Sequence, residues 1–275
     1  MTITINLKGR LGNQLFQYAT LRNLSIKTGY SFYINTNIEW QGQLNLLNFF
    51  NIKESTPLDE IKYYYSQPNN SNFFDSNIYH INDHTMLDGH FENIEYFKEN
   101  KEIIKNELTI KDETINNYTY NYINKISKNG SKIVGIHFRR GDLIQQVNNI
   151  NNFNQMCLDF VEQSLKTIVE RDSNITLLLF TGGIRKSGSH SNWIPHNHDD
   201  DLLWIQKFVS DNELNYDIHI SPGTTENNEL IDFNLLSNCD YIITPYQSTF
   251  SFMAYYVNKK VIEYFSPTNL YGLNI

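Results

Sequence analysis

The chain opens on an alternating run, Thr2-Ile3-Thr4-Ile5-Asn6-Leu7, whose period of two predicts a strand. Gly9-Arg10-Leu11-Gly12 interrupts it, and over residues 13–27 the apolar positions Leu15, Ala19, Leu21, Leu24 and Ile26 return at helical spacing. Tyr30-Ser31-Phe32-Tyr33-Ile34 predicts the next strand and completes a βαβ unit. Residues 41–82 carry no period, and Pro57, Pro68 and the Asn/Ser cluster at 69–72 mark loop. Residues 87–97 predict a short strand-turn-helix, and a polar helical region over 98–128 ends at Asn129-Gly130.

A second series follows. Strands are expected at 132–138, 175–180, 216–220, 240–244 and 260–264, with helices at 153–171, 201–210, 227–238 and 249–257 between them. Strand-then-helix order with strongly apolar strands predicts a parallel sheet covered on both faces, hence an α/β fold. The break at Asn129-Gly130 divides the chain into 1–129 and 130–275, each of ordinary domain size. Open parallel sheets hold ligands at the carboxyl ends of their strands. That rule directs attention to residues 9–13, 137–142, 181–183, 221–224 and 245–251, where Gly, Arg, Ser and Thr cluster.

Composition narrows the ligand. A formal charge of -8 over 275 residues argues against general nucleic-acid binding, so an anionic ligand has to be met by a local group of cations. Cys157 and Cys239 sit in apolar stretches and are expected to be buried, reduced thiols. No apolar run reaches the ~18 residues of a membrane span, and the amino terminus lacks a basic-then-apolar leader. The expected location is the cytoplasm, or the periphery of a membrane carrying lipid-linked acceptors.

Three places carry candidate chemistry. In Val134-Gly135-Ile136-His137-Phe138-Arg139-Arg140-Gly141-Asp142 a buried strand empties into two arginines, whose paired N–H donors suit a phosphate. A surface pair meeting carboxylates is the alternative, but the strand-end position favours a ligand. Gly9-Arg10-Leu11-Gly12-Asn13-Gln14 joins a strand to a helix, which suits either a tight turn or an anion site. It is neither a Walker loop nor the dinucleotide fingerprint. Gln247-Ser248-Thr249-Phe250-Ser251 opens a helix, where hydroxyls either cap the helix or hold a phosphate or ribose oxygen. His196-Asn197-His198-Asp199-Asp200-Asp201 invites a metal reading, against which acids at a helix start are ordinary. Tyr63-Tyr64-Tyr65 offers either a sugar-stacking surface or a packing cluster.

Taken in order, four stretches resemble the α-1,2-fucosyltransferases, glycosyltransferase family 11. They are Gly9-Arg10-Leu11-Gly12-Asn13-Gln14-Leu15-Phe16-Gln17-Tyr18-Ala19, Leu87-Asp88-Gly89-His90-Phe91 with Tyr96-Phe97, His137-Phe138-Arg139-Arg140-Gly141-Asp142, and Ser248-Thr249-Phe250-Ser251 preceded by Asp232. The third is similar to a motif shared with α-1,6-fucosyltransferases and in part with protein O-fucosyltransferases. The resemblance implies a GT-B-like fold of two facing Rossmann-type domains, an acceptor-side domain at 1–129 and a nucleotide-sugar domain at 130–275. It implies inverting transfer of L-fucose from GDP-fucose to an oligosaccharide or glycolipid, at the 2-OH of a terminal galactoside, without a metal or other cofactor. It further implies that Arg139 grips the β-phosphate and Arg140 supports it, while His137 and Asp142 shape the arginine loop, Asp142 being also the nearest motif carboxylate to serve as base. Asn13, beside Gly12, would reach the donor across the cleft, and Asp232, Ser248, Thr249 and Phe250 would frame the nucleotide or fucose.

Two departures bear on the donor. Thr181-Gly182-Gly183 stands where members usually carry Ser-Asp-Asp, and an acidic cluster comes only at Asp199-Asp200-Asp201, ahead of Trp204. Phe252-Met253 replaces paired aromatics and would alter the sugar pocket. A transferase using a rhamnose or galactose donor, or a catalytically silent sugar-nucleotide-binding protein, are the alternative readings.

Overall fold

The computed structural model describes residues 1–35, 46–52, 57, 60–68, 73–182, 198–211, 216–226, 228–267 and 271, the side chains of Asn35, Asp142, Gln145 and His198 excepted. The chain divides into two compact units, residues 1–111 with 269–275, and residues 112–268.

The first unit contains β1 (Thr2–Asn6), α1 (Leu11–Thr28), β2 (Ser31–Asn35), α2 (Leu46–Phe49), β3 (Tyr63–Ser66), β4 (Thr85–Asp88) and α3 (Lys101–Glu107). Its sheet has the order β2-β1-β4-β3, parallel throughout. Helix α1 buries Leu15, Phe16, Tyr18, Ala19, Leu21 and Leu24 almost completely, and stops where Gly29 takes the left-handed conformation, φ 72°. Its buried polar residues stitch the loop before it. Gln17 accepts from the Lys8 N–H at 2.8 Å and donates to the Lys8 carbonyl at 2.8 Å, and Gln14 donates to the Gly9 carbonyl at 3.0 Å.

The second unit contains α4 (Glu113–Ile126), β5 (Lys132–Phe138), α5 (Ile150–Val169), β6 (Ile175–Thr181), α6 (His198–Asp211), β7 (Asp217–Ile220), α7 (Pro222–Glu226), α8 (Glu229–Leu236), β8 (Tyr241–Ile243), α9 (Thr249–Val257) and β9 (Glu263–Phe265). The sheet order is β7-β6-β5-β8-β9, again parallel throughout. The interior strands β5 and β6 are buried along almost their whole length, the consequence of helices on both faces. The α/β class with parallel sheets in two units is therefore what the sequence pattern predicts.

Three expectations change. The units part at 111/112 and not at 129/130, because α4 belongs with the second: the Asn234 amide on α8 donates to Asn116 Oδ1 and Thr119 Oγ1 on α4, both at 3.0 Å. The polar region 98–128 is two helices, separated where Ile110 bridges to Phe50 and Asp112 caps α4 by accepting from the Thr114 N–H. The stretch 41–82, read as irregular, contains the edge strand β3.

Gly135, in the middle of β5, tests the packing that fixes the second sheet. A Cβ there would lie 2.7 Å from Leu236 Cδ1 and 2.8 Å from Cys239 Sγ, inside any tolerable contact. Gly135→Val is expected to lower unfolding free energy by about 1–3 kcal/mol, measured by urea denaturation.

Candidate active site at the second sheet

In the order β7-β6-β5-β8-β9 the chain leaves β5 toward β6 on one side, while β8 lies on the other. The carboxyl ends of β5 and β8 thus flank a topological switch point, where open α/β sheets take their ligands. His137 and Arg139 lie at the end of β5, and Gln247 and Ser248 follow β8.

The two arginines part at this place. Arg140 turns to α5 and α6: its Nε donates to Asp201 Oδ1 at 3.0 Å, its Nη1 to Asn154 Oδ1 at 3.0 Å, and its guanidinium lies 4.2 Å from the Trp204 ring centroid. Gly141, at φ 55°, brings its N–H to Asp201 Oδ2 at 3.1 Å, a left-handed turn that suits glycine. Asp201 is 0% exposed. Burial lowers the Arg140 pKa from its ordinary value and Asp201 opposes that fall. Arg139 turns instead toward β8 and remains partly exposed. Its Nη1 donates to the Gln247 carbonyl at 2.8 Å, and among the described residues it pairs with no carboxylate.

The other predicted residues at these two strand ends contact one another. His137 Nδ1 is 2.5 Å from Ser251 Oγ, and the His137 ring lies against Phe250 at 5.4 Å. Phe250 rests edge-on against Phe233 at 5.6 Å. Ser248 caps α9, its Oγ accepting from the Ser251 N–H at 3.3 Å, and Thr249 is the first helical residue. The capping alternative for Ser248 is thus the one observed. Phe252 and Met253 are 0% exposed, so they belong to the core and not to a sugar pocket.

Asp232 is buried at the start of α8. It accepts from Ser221 Oγ at 2.5 Å and Thr224 Oγ1 at 2.9 Å, while the Thr181 N–H donates to Thr224 Oγ1 at 3.3 Å. Thr181 Oγ1 in turn donates to the Phe138 carbonyl at 3.1 Å, which ties the departure from the family pattern into the end of β5. Gly223 is required here, since a Cβ would meet Asp232 Oδ1 at 2.5 Å. Burial pushes the Asp232 pKa up to about 7, against the pull of the two hydroxyls.

The remaining candidates lie elsewhere. Asp142 follows in the short 3-10 turn Gly141–Gln145, and its side chain lies outside the described residues, as do Gly183, His196 and Asn197. Gly12 and Asn13 occupy the first turn of α1 in the first unit, where the Asn13 amide donates to Glu92 Oε1 at 2.6 Å. Tyr63 and Tyr64 are 48% and 70% exposed, whereas Tyr65 stacks on Phe91 and donates to Asp75. Cys157 and Cys239 are buried free thiols, as composition predicts, and burial raises both pKa values, that of Cys157 to about 11. Sequence reasoning marked the loop 221–224 without assigning Ser221 and Thr224 to Asp232, and it missed Asn154, which has no motif signal. It noted the acids before Trp204 without seeing that Asp201 reaches Arg140.

Two measurements probe this arrangement. Asp201→Ala leaves a buried guanidinium without its carboxylate and is expected to cost about 3–5 kcal/mol of stability, whereas Arg139→Ala is expected to cost under ~1 kcal/mol; urea denaturation reads both. For Asp232 the folded pKa of about 7 exceeds the ordinary aspartate value of 3.8, so between those values the folded state holds a proton that the unfolded state has lost. Its contribution to stability therefore falls as pH rises through that window and is level beyond it. Denaturation across pH is expected to show that fall in the wild type relative to Asp232→Asn.

No described helix is long and apolar enough to cross a membrane. Comparison with curated proteins yields no match. Among solved structures, the fucosyltransferase NodZ from Bradyrhizobium aligns over 96% of this chain and 94% of its own, at 15% identity and TM-score 0.55. POFUT1 in complex with GDP aligns over 96% and 97%, at 10% identity and TM-score 0.56. A structure of Arabidopsis thaliana FUT1 in complex with GDP aligns over 94% and 68%, at 9% identity and TM-score 0.56. These likenesses establish a shared fold, in agreement with the GT-B-like expectation. A model of Glycosyl transferase family 11 matches residues 1–272, nearly the whole sequence, and the chain belongs to that family.

Proposed function

We propose that this glycosyltransferase moves L-fucose from GDP-fucose to a hydroxyl of an acceptor glycan, the 2-OH of a terminal galactoside, with inversion and without a metal. The observation that carries the proposal is Arg139, a partly exposed guanidinium at the β5/β8 switch point, held by a neutral carbonyl. As the sugar leaves, negative charge grows on the diphosphate, and a guanidinium already in place stabilises it without reorganisation. Arg140 is committed to Asp201 and acts through the loop, not on the phosphate. His137 at the end of β5, with Phe250 and the first turn of α9 with Ser248 and Thr249 after β8, would frame the nucleotide, and Asp232 at the neighbouring strand-end loop would offer hydrogen bonds to a base. Family membership supports glycosyl transfer. The fold shared with NodZ, whose crystals were soaked with GDP-fucose, supports the donor, and the motif resemblance supports the linkage.

Screening the protein against a panel of sugar nucleotides is expected to give turnover with GDP-fucose. If Arg139 makes two charge-assisted bonds of about 1.5–3 kcal/mol each, Arg139→Ala lowers the rate on the order of 10²–10⁴ with an unchanged melting profile. Turnover confined to a donor without GDP ends the fucose assignment, and a wild-type rate in Arg139→Ala removes the phosphate clamp.

A further inference from the structure

The end of β5 is held at three successive places by three different elements. The Phe138 carbonyl accepts from Thr181 Oγ1 on β6 at 3.1 Å, Arg139 Nη1 donates to the Gln247 carbonyl after β8 at 2.8 Å, and the Gly141 N–H donates to Asp201 Oδ2 on α6 at 3.1 Å. The second hold acts on the tip of the Arg139 side chain and the third on the turn beyond it. The first acts on the peptide from which Arg139 extends, since the Phe138 carbonyl and the Arg139 N–H share one rigid plane with the Arg139 Cα. A hydroxyl on the neighbouring strand therefore helps to set the direction in which this arginine leaves the backbone.

Thr181 is suited to this by its place. It lies opposite Phe138 in the register of β5 and β6, is the last residue of β6, and is 4% exposed, so water has little access to the bond it makes. Gly182 then takes φ 87°, a left-handed conformation that favours glycine, and the chain turns away directly after the threonine.

Through its backbone the same residue reaches the other way. The Thr181 N–H donates to Thr224 Oγ1 at 3.3 Å, Thr224 Oγ1 donates to Asp232 Oδ2 at 2.9 Å, and Ser221 Oγ donates to Asp232 Oδ1 at 2.5 Å. A hydroxyl carries one proton. Those of Thr224 and Ser221 are given to Asp232 and that of Thr181 to Phe138, so the direction of each bond is fixed. A continuous series thus runs from the Phe138 carbonyl through Thr181 and Thr224 to Asp232 at the start of α8, and all four residues are buried. Away from water, hydrogen bonds in such a series are stronger than the same bonds at a surface, and a fully satisfied series is rigid.

We propose that Thr181 is a positioning residue for the donor: its hydroxyl sets the Arg139 peptide and with it the guanidinium, and its N–H joins that setting to the loop that holds Asp232. The inference deepens the transferase reading and rests on it for the diphosphate that Arg139 meets. Charge stabilises a leaving group well only where it is in place beforehand, and Arg139 is a long, partly exposed side chain whose tip is held by a neutral carbonyl. Fixing its root is what the β6 hydroxyl adds, and a small misplacement there is carried to the tip.

Titration calorimetry with GDP on the whole chain tests the role. Thr181→Val removes the hydroxyl and keeps the size and the N–H, and it is expected to raise the GDP Kd about 3–10-fold, whereas Thr181→Ser, which keeps the hydroxyl, stays within about twofold of the wild type. In an Arg139→Ala background Thr181→Val is expected to add less than about twofold, because the hydroxyl acts through that arginine; a residue that merely holds the fold together would cost the same in both backgrounds. Should Thr181→Val fail to fold, Thr181→Ala removes the same hydroxyl and is held to the same outcomes. An unchanged Kd in the variant that lacks the hydroxyl, an equal loss with and without Arg139, a serine variant as impaired as the valine one, or no GDP binding by the wild type would overturn the proposal. Turnover of GDP-fucose with a GDP affinity indifferent to Thr181 would remove this role and leave the transferase reading. Thr181-dependent GDP binding by a chain that turns over no nucleotide sugar would uphold the role and remove that reading.

Discussion

The active end of the second sheet depends on the buried pair between Arg140 and Asp201. A guanidinium taken from water at this depth is tolerable only when its N–H groups are met, and here a carboxylate, an amide oxygen and an indole face meet them. The same carboxylate holds the Gly141 N–H, so one side chain fixes both the arginine and the turn beyond it. With Arg140 committed to α5 and α6, its neighbour in sequence is directed to the β8 side. Two adjacent arginines thereby become one buried structural cation and one partly exposed cation beside the end of β8. Pairing of this sort is weak evidence for stability as such, because desolvation offsets much of the attraction. Its value here is geometric.

Much of the fold was legible because parallel strands covered on both faces leave continuous apolar runs, as in β5 and β6. What escaped notice was marginal to that signal. Strand β3 is an edge with Tyr63 and Tyr64 exposed, so its sequence shows no buried face to count. Helix α4 carries polar residues on most positions, and its allegiance is decided by Asn234, more than a hundred residues later, through bonds to Asn116 and Thr119. No local pattern records a partner at that distance.

The site divides along the same line. The strand-end position of His137, Arg139 and Arg140 could be inferred from the apolar run that ends in them, and the helix opening at Ser248 from its hydroxyls. The division of labour between the arginines could not, because it depends on Asp201, sixty-one positions beyond Arg140. Motif membership also proved a poor guide to role. Gln14 and Gln17 hold the backbone before α1, Ser248 caps a helix, and Phe252 with Met253 fills the core, although all of them lie in or beside stretches that resemble family motifs. Several of these residues hold the scaffold in place, whereas Arg139 meets a carbonyl and, among the described residues, no carboxylate.

Net charge bears on the strand ends of both sheets. A protein of charge -8 repels a nucleotide diphosphate at long range, so binding has to come from a local cation whose own carboxylate partners are held away. At β5 and β8 Asp201 is given to Arg140 and a carbonyl to Arg139, the arrangement that the proposed clamp requires. At β1 and β4 the polar groups are arranged otherwise: Lys8 is paired with Asp88, and the Asn13 amide donates to Glu92 Oε1 at 2.6 Å. Two sheets of like topology thus end in unlike sets of polar side chains, and the proposed diphosphate clamp rests on the set at the end of the second sheet.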